Sequence, residues 1–449
     1  MLWKTVWMNV SVSCSESDGA EMREMRDSGN LLIGAIPAKW GICRLKNVCK
    51  GFSNGSTDTQ ISYGETDYPV TRIETISTGV IDYSKVGYVE RTPERYKLNK
   101  NDFLISNINS IANLGNSAIY DGTFKLYHGM NLMRLVPKAI YAKFLYYWLK
   151  SYCFRIGMQI ICKPAINQAS VSATNMKNLS IVSLSFEEQI RIANYLDSKC
   201  AEIDAISADI QSEIETLEAY KRSVITEAVT KGLSPDMEMK DSGTPWCPQI
   251  PIHWQYTNPK ALFSQRFDRA IHGERQLTAS QEFGIVYQDE YIEMTGNSVV
   301  TVSKDFSILK HVEPGDFVIS MRSFQGGLEY SQIRGCISSA YVMLIPNRKL
   351  VYPPFFRWFF KSSKYINAIQ STSNLIRDGQ AMRYANFAQV PLFIIPLDEQ
   401  KEIADYLDKK CHEIDIIIKQ KKEQLELLDE YKKSLIYEYV TGKKEVPAT

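Results

Sequence analysis

The chain is written twice. Glu24-Met25-Arg26-Asp27-Ser28-Gly29 recurs as Glu238-Met239-Lys240-Asp241-Ser242-Gly243, and Ile36-Pro37 with Trp40 recurs as Ile250-Pro251 with Trp254. Asp102-Phe103-Leu104-Ile105-Ser106 recurs as Asp316-Phe317-Val318-Ile319-Ser320 at the same offset of 214. The match is densest where 189–230 meets 400–441, at an offset of 211, with about half of the positions identical. A repeat of this length predicts two structural units of one design. Each copy reads as a mixed block of roughly 160 residues followed by a long amphipathic segment.

That segment carries apolar residues at helical spacing. Leu196, Ile203, Ile206, Ile210, Ile214 and Leu217 form the stripe in the first copy, and Leu407, Ile414, Ile417, Leu425, Leu428 and Leu435 in the second. No Pro or Gly interrupts 187–231, Ser185 with Glu188 suits a capping box, Pro396 suits a first turn, and Gly232 and Gly442 stand where the helices should stop. About 42 helical residues span roughly 60 Å. So narrow a stripe cannot be buried by one helix alone, so the two helices are expected to pair, with Glu213 and Lys421 as flaws in the seam.

The expected fold is therefore α+β, with two mixed blocks and two long helices paired as an antiparallel coiled coil in a pseudo-twofold repeat. The boundaries are an extension at 1–23, blocks at 24–184 and 234–395, helical regions at 185–233 and 396–444, and a tail at 445–449. The extension has no counterpart in the second copy and reads as disordered, or as lying before a true start at Met22. Within the blocks, 68–76, 103–108 and 317–321 read as strands, and 141–153 and 353–369 as helices whose Phe144, Trp148, Phe355 and Phe359 belong to the core.

Charge follows the repeat. The net charge of +1 divides into −1 for 1–23, +8 for 24–182, −5 for 183–233, +2 for 234–395, −2 for 396–444 and −1 for 445–449. A basic block suits a phosphate backbone, and an acidic helix does not. Nine scattered cysteines without a CxxC pair read as reduced thiols of a cytoplasmic protein, and no stretch is apolar enough to span a membrane.

Catalytic signatures are missing. There is no phosphate-binding GxxxxGK[ST] loop, and the five histidines show no zinc spacing, so no bound metal is expected. Tyr352-Pro353-Pro354-Phe355 lacks the amide or carboxylate that an amino-methyltransferase loop needs, and reads as a helix start. Duplicated, unlike blocks joined by helices suit a reader of a two-part site.

The paired Glu188-Gln189 and Glu399-Gln400, the Ile-Ala-x-Tyr-Leu-Asp that follows, Tyr-Lys-x-Ser-x-Ile, and the Asp-Ser-Gly…Ile-Pro…Trp opening of each block resemble the specificity subunits of type I restriction-modification systems over about 24–444. The resemblance implies two target recognition domains, each reading half of an asymmetric DNA site, and helices that set the gap and dock two methyltransferase subunits. It implies a non-catalytic subunit without a cofactor of its own. S-adenosylmethionine, ATP and Mg would sit on partner methyltransferase and restriction subunits, which methylate adenine and cleave DNA. The alternatives are a DNA-recognition subunit of another methyltransferase or phage-defence assembly, or a scaffold that binds no DNA.

Base edges are read by Asn, Gln, Arg and Ser in loops. The candidates are Asn107, Asn109, Asn113, Asn116, Asn167 and Gln168 in the first block, and Arg322, Ser323, Gln325, Arg377, Gln380 and Arg383 in the second. Phosphate candidates are Arg91, Arg95, Lys97, Lys125 and Lys163, then Arg266, Arg269, Arg275, Lys304 and Lys310.

Overall fold

A computed structural model of the chain describes residues 23–61, 68–165, 168–299, 306–320, 323–372 and 383–447. It divides into one unit of Met1–Ala208 with Leu425–Thr449 and another of Asp209–Gln424. The extension expected at 1–23 lies outside the described residues except for Arg23.

Each unit is built on a four-stranded antiparallel sheet. The first comprises β1 (Cys49–Asn54), β2 (Phe103–Ser106), β4 (Ser117–Ile119) and β5 (Leu132–Pro137) in the order β4-β2-β5-β1, while β3 (Ile108–Asn109) joins a hairpin of β6 (Lys163–Ala165) and β7 (Gln168–Ser170). The second comprises β8 (Phe263–Arg266), β9 (Phe317–Ile319), β10 (Glu329–Tyr330) and β11 (Val342–Pro346) in the order β10-β9-β11-β8. The repeated Asp-Phe-x-Ile-Ser is the second strand from one edge in both, and its apolar residues are fully buried. The run at 68–76 contains only a two-residue strand, Pro69–Val70, and a single helical turn, Glu74–Ile76. Its β-branched residues satisfy a strand propensity that the short connections leave no room to use.

The expected helices at 141–153 and 353–369 each break in two. They become α1 (Ala142–Lys150) with α2 (Tyr152–Ile160), and α4 (Pro353–Phe359) with α5 (Ser363–Ser371), where α3 is the first long helix. The breaks fall at buried Ser151 and Ser362, whose hydroxyls each donate to a carbonyl three residues back, at 2.7 Å to Trp148 and to Phe359. A serine that bonds the ending turn and starts the next helix outweighs the continuous apolar pattern. Phe144, Trp148, Phe355 and Phe359 are core, as expected.

The long helices are α3 (Phe186–Lys231) and α6 (Leu397–Val440). Their shared residues anchor each block to its helix. Trp40 Nε1 donates to Glu188 at 2.9 Å, and Trp254 Nε1 donates to Glu399 at 3.1 Å. Gln189 and Gln400 accept the backbone N–H groups of Tyr141 and Tyr352 at 2.8 Å each. Asp197 accepts from Tyr147 at 2.7 Å and Asp408 from Trp358 Nε1 at 2.6 Å. Ser185 caps the Glu188 N–H at 3.2 Å, but the reciprocal half of the capping box is not made, because the Glu188 carboxylate serves Trp40 and Arg23. Gly232 and Gly442, with φ of 75° and 72°, terminate the helices in the left-handed conformation.

Both units pair the helices antiparallel, with the end of one copy's helix completing the core of the other copy's block. Leu435, Ile436, Tyr439 and Val440 join the core around Trp40, and Val224, Ile225, Ala228 and Val229 join the core around Trp254. The buried and half-buried positions step by four and three along each helix: Leu196, Cys200, Ile203, Ser207, Ile210, Ile214 and Leu217, against Leu407, Cys411, Ile414, Ile418, Lys421, Leu425, Leu428, Lys432 and Leu435. This is a heptad seam. Ile206 and Ile417, expected within it, are 48% and 42% exposed, one position out of phase beside Ser207 and Ile418. A stripe read at 3.6 residues per turn drifts off a strict 3.5-residue seam.

Lysines at seam positions lay their stems along the stripe and reach acids across it. Lys432 meets Asp204 at 2.5 Å in the first unit, while Lys221 meets Asp415 at 2.6 Å and Lys421 meets Glu213 in the second. The two suspected flaws are partners: Lys421 lies in the seam and Glu213 on its rim.

Candidate nucleic-acid interface

In the first unit, two stretches singled out separately come together. The hairpin β6–β7 pairs through β7 with β3, setting Ala169 opposite Asn109. Lys163 and Gln168 are exposed on the hairpin and Asn113 on the helical turn after β3, whereas Asn167 lies outside the described residues. Asn109 is half-buried and donates to Ser106 Oγ at 3.1 Å. The other two asparagines hold the loop. Asn107 is 4% exposed and donates to the Val171 carbonyl at 3.3 Å, so its amide cannot reach a base edge. Asn116 accepts from Arg155, which also donates to the Ala112 carbonyl at 2.8 Å. Burial pulls the Arg155 pKa below the usual arginine value. Arg155, on α2, positions the loop from a helix that offered no sequence signal.

A second group surrounds β-type backbone at Gly87–Val89 and the turn Glu94–Tyr96. Arg91, Arg95, Lys97 and Lys125 are all exposed. The Arg95 guanidinium lies 4.8 Å from the Tyr96 ring centre, and the Lys125 ammonium 4.9 Å from that of Tyr68 and 5.4 Å from that of Tyr127. Hydrogen bonding to Tyr127 raises the Lys125 pKa. Lys97 and Glu94 are exposed and 3.9 Å apart, a contact too weak and screened to withhold the lysine from a phosphate. Beneath them His128 is buried, with Nε2 2.8 Å from the Leu132 carbonyl, and burial pushes its pKa down to about 4. It therefore carries no charge at neutral pH.

In the second unit the expected phosphate residues divide. Arg266 is spent internally, bonded to Asp316 at 2.7 and 3.0 Å and to Asp268 at 2.8 Å. The first unit makes the same kind of pair from another strand, with Arg134 on β5 meeting Asp102 at 2.5 Å. Burial raises the Asp102 pKa in spite of that cation. Arg275 lies 3.6 Å from the Tyr287 ring centre and is neutralised by Asp289 at 2.7 Å and Glu290 at 3.1 Å. Ser323, the first residue of the short helix Ser323–Gly326, is buried and accepts the Ser320 N–H at 2.9 Å, so it is withdrawn from any base. Arg269, Gln325 and Arg383 are exposed, and Lys310 is half-buried, donating to the Tyr341 carbonyl at 2.6 Å. Arg322, Arg377, Gln380 and Lys304 lie outside the described residues.

Each unit thus presents cations and amides on connections projecting from one conserved sheet. The tyrosines of the repeated Tyr-Lys-x-Ser-x-Ile motif, given no site role from sequence, lie off the seam: Tyr220 and Tyr431 are 48% and 55% exposed, and Lys410 lies 6.0 Å from the Tyr220 ring centre. Their signal was identity between copies without a seam position.

Comparison with known proteins agrees with this arrangement. Residues 37–216 match the family model described as the type I restriction modification DNA specificity domain. The chain is 30% identical over 430 residues to a protein named as the type I restriction enzyme MjaX specificity subunit of Methanocaldococcus jannaschii, covering 92% of this chain and 96% of that one. It is 25% identical over 238 residues to the type I restriction enzyme StySPI specificity subunit of Salmonella potsdam, about half of each chain. A structure reported under complex assembly and conformational transition of the type I R-M system shares the fold at a TM-score of 0.66 and 14% identity, over 91% of this chain and 99% of that one. Two sheets of the same strand order carry unlike loops on duplicated helices, the organisation expected of a subunit that recognises a two-part target. The chain belongs to the specificity subunits of type I restriction-modification systems, and DNA recognition follows from that membership. No helix among the described residues is long and apolar enough to cross a membrane.

Proposed function

We propose that each unit reads one half of a bipartite, asymmetric DNA target, and that the paired helices fix the interval between the halves. The observation that carries this reading is the contrast between sheets of identical strand order and loops of unlike chemistry: Asn113, Gln168 and Lys163 in one unit, Arg269, Gln325 and Arg383 in the other. Asn and Gln suit adenine and Arg suits guanine, so the half-sites differ. Arg91, Arg95, Lys97 and Lys125 supply sequence-independent phosphate contacts.

The repeated helix residues Ile206 and Ile417, Tyr220 and Tyr431 offer the same apolar surface twice, which suits two copies of one methyltransferase partner. In this reading the chain performs no chemistry. S-adenosylmethionine belongs to the methyltransferase, ATP and Mg to the restriction subunits, and the assembly works in the cytoplasm.

Methylome sequencing of a host that expresses the chain with its methyltransferase reports both half-sites and the gap. Inserting four residues, one helical turn, into both helices is expected to lengthen the gap by a base pair or so and leave the half-sites unchanged. Changed half-sites with an unchanged gap would refute the role of the helices.

A further inference from the structure

After β8, an antiparallel bridge joins 268–270 to 309–311, just past the helical turn Phe306–Ile308. The Ala270 N–H bonds the Leu309 carbonyl at 3.1 Å, the His311 N–H bonds the Asp268 carbonyl at 3.0 Å, and Arg269 stands opposite Lys310. These bonds flank the Arg269–Lys310 pair, which makes it the non-hydrogen-bonded kind, where facing side chains come closest. Like charges directly opposite destabilise a ribbon unless an anion lies between them. Among the described residues neither cation forms an ion pair with a carboxylate. Arg269 turns its Nη1 to the Ile308 carbonyl at 3.0 Å and remains exposed.

Around this pair the ribbon exposes large apolar side chains. Phe267 is 75% exposed, Ile271 51%, Phe306 45% and Ile308 44%. Phe267 and Ile271 each lie two residues from Arg269 on one side of the bridge, and Ile308 lies two residues from Lys310 on the other. A surface that joins an exposed arginine without a carboxylate partner to a bare apolar strip fits neither a core nor a solvated surface. It matches the chemistry of a DNA groove, with anionic phosphates at the rim and, in the major groove, thymine methyl groups on the floor. The major groove also admits a two-stranded ribbon.

We propose that this ribbon enters the major groove of the second half-site, with Arg269 on a phosphate and Phe267, Ile271 and Ile308 against thymine methyls, so that an A·T pair is required there. The inference rests on the DNA-reading function proposed above and names the element and base class for one unit. The first unit has no equivalent: the positions matching 267–271 are Ser53-Asn54-Gly55-Ser56-Thr57, small and polar.

The test uses the complex of the full chain with its methyltransferase, and duplexes carrying the target found by methylome sequencing. Each thymidine of the second half-site is replaced in turn by deoxyuridine, which removes only the methyl group. The expected result is a loss of about fourfold in affinity at one or more positions, the worth of one buried methyl. That loss should disappear in Phe267→Ala with Ile308→Ala, because the contact is already gone. Arg269→Ala should instead weaken binding to all sequences alike and lower the salt slope by about 1. A second half-site without thymine, insensitivity of the wild type to deoxyuridine, or undiminished sensitivity in the double variant would each overturn the ribbon while leaving DNA reading intact. Release of the methyltransferase by the double variant, with an unchanged target, would also overturn it and mark a protein-docking face. Failure of the wild-type complex to bind any duplex would overturn the DNA reading and the ribbon with it. Phe267 is so exposed that its replacement is expected to leave the melting curve unchanged, which separates contact loss from misfolding.

Discussion

The two recognition units share a scaffold and disagree at their rims. Strand order, the buried Asp-Phe-x-Ile-Ser strand, the tryptophan at the head of the long helix and the glutamine beside it are common to both. The cations differ. The first unit stacks exposed Arg95 and Lys125 on tyrosines, whereas the second locks Arg266 and Arg275 into ion pairs and leaves Arg269 free of them. Duplication kept what each sheet needs to close and let the exposed loops diverge, as expected if the halves of the target are unlike.

The comparison is broken hardest at the shared aspartate. Asp102 is almost fully buried with Arg134 as its cation, so Asp102→Asn strands a largely buried guanidinium and is expected to cost about 3–5 kcal/mol. Asp316→Asn leaves Arg266 with Asp268, and a smaller loss of about 1–3 kcal/mol is expected. Denaturant titration of both variants checks this, and equal losses would show that the second carboxylate gives no relief.

Buried histidine separates the units next. The unfolded imidazole titrates near 6.5 and the folded His128 near 4, so below 6.5 the unfolded chain takes up a proton that the fold refuses. Stability therefore falls as pH drops from 6.5 to 4, by about 3 kcal/mol at full effect. Comparing wild type with His128→Gln across this range isolates the contribution, and parallel stability curves would refute it. The second unit's buried His311 lies instead between Glu274 at 2.7 Å and Glu313 at 2.8 Å.

Two further substitutions sharpen the likeness. Gln189→Leu and Gln400→Leu each strand a backbone N–H, of Tyr141 and of Tyr352, at an expected cost of about 1–3 kcal/mol, the same in both units. Smallest are the seam lysines. Lys221 with Asp415 and Lys432 with Asp204 are equivalent at the offset of 211, so Lys221→Met and Lys432→Met should match each other within about 1 kcal/mol in thermal melting. Lys421 with Glu213 has no counterpart, since the positions matching them are Ile210 and Gln424.

Much of the fold was legible because periodicity and repetition are properties of the chain. The long helices, their glycine ends, their pairing and the tandem α+β blocks all follow from spacing. The breaks at Ser151 and Ser362 were hidden, because apolar spacing continues across them while one hydroxyl decides. The interface was less legible. Nothing local distinguishes Asn107, enclosed by Val171, from exposed Asn113, or Arg266 from Arg269 three residues later.

By itself, then, the sequence determined that there are two units, that helices join them, and that their loops differ, since these depend on residues compared along one dimension. Only the tertiary structure decided which cations keep their charge for a partner. An arginine is available or spent according to what lies within about 4 Å of it, and its neighbours here come from strands as far as 50 residues away in the chain.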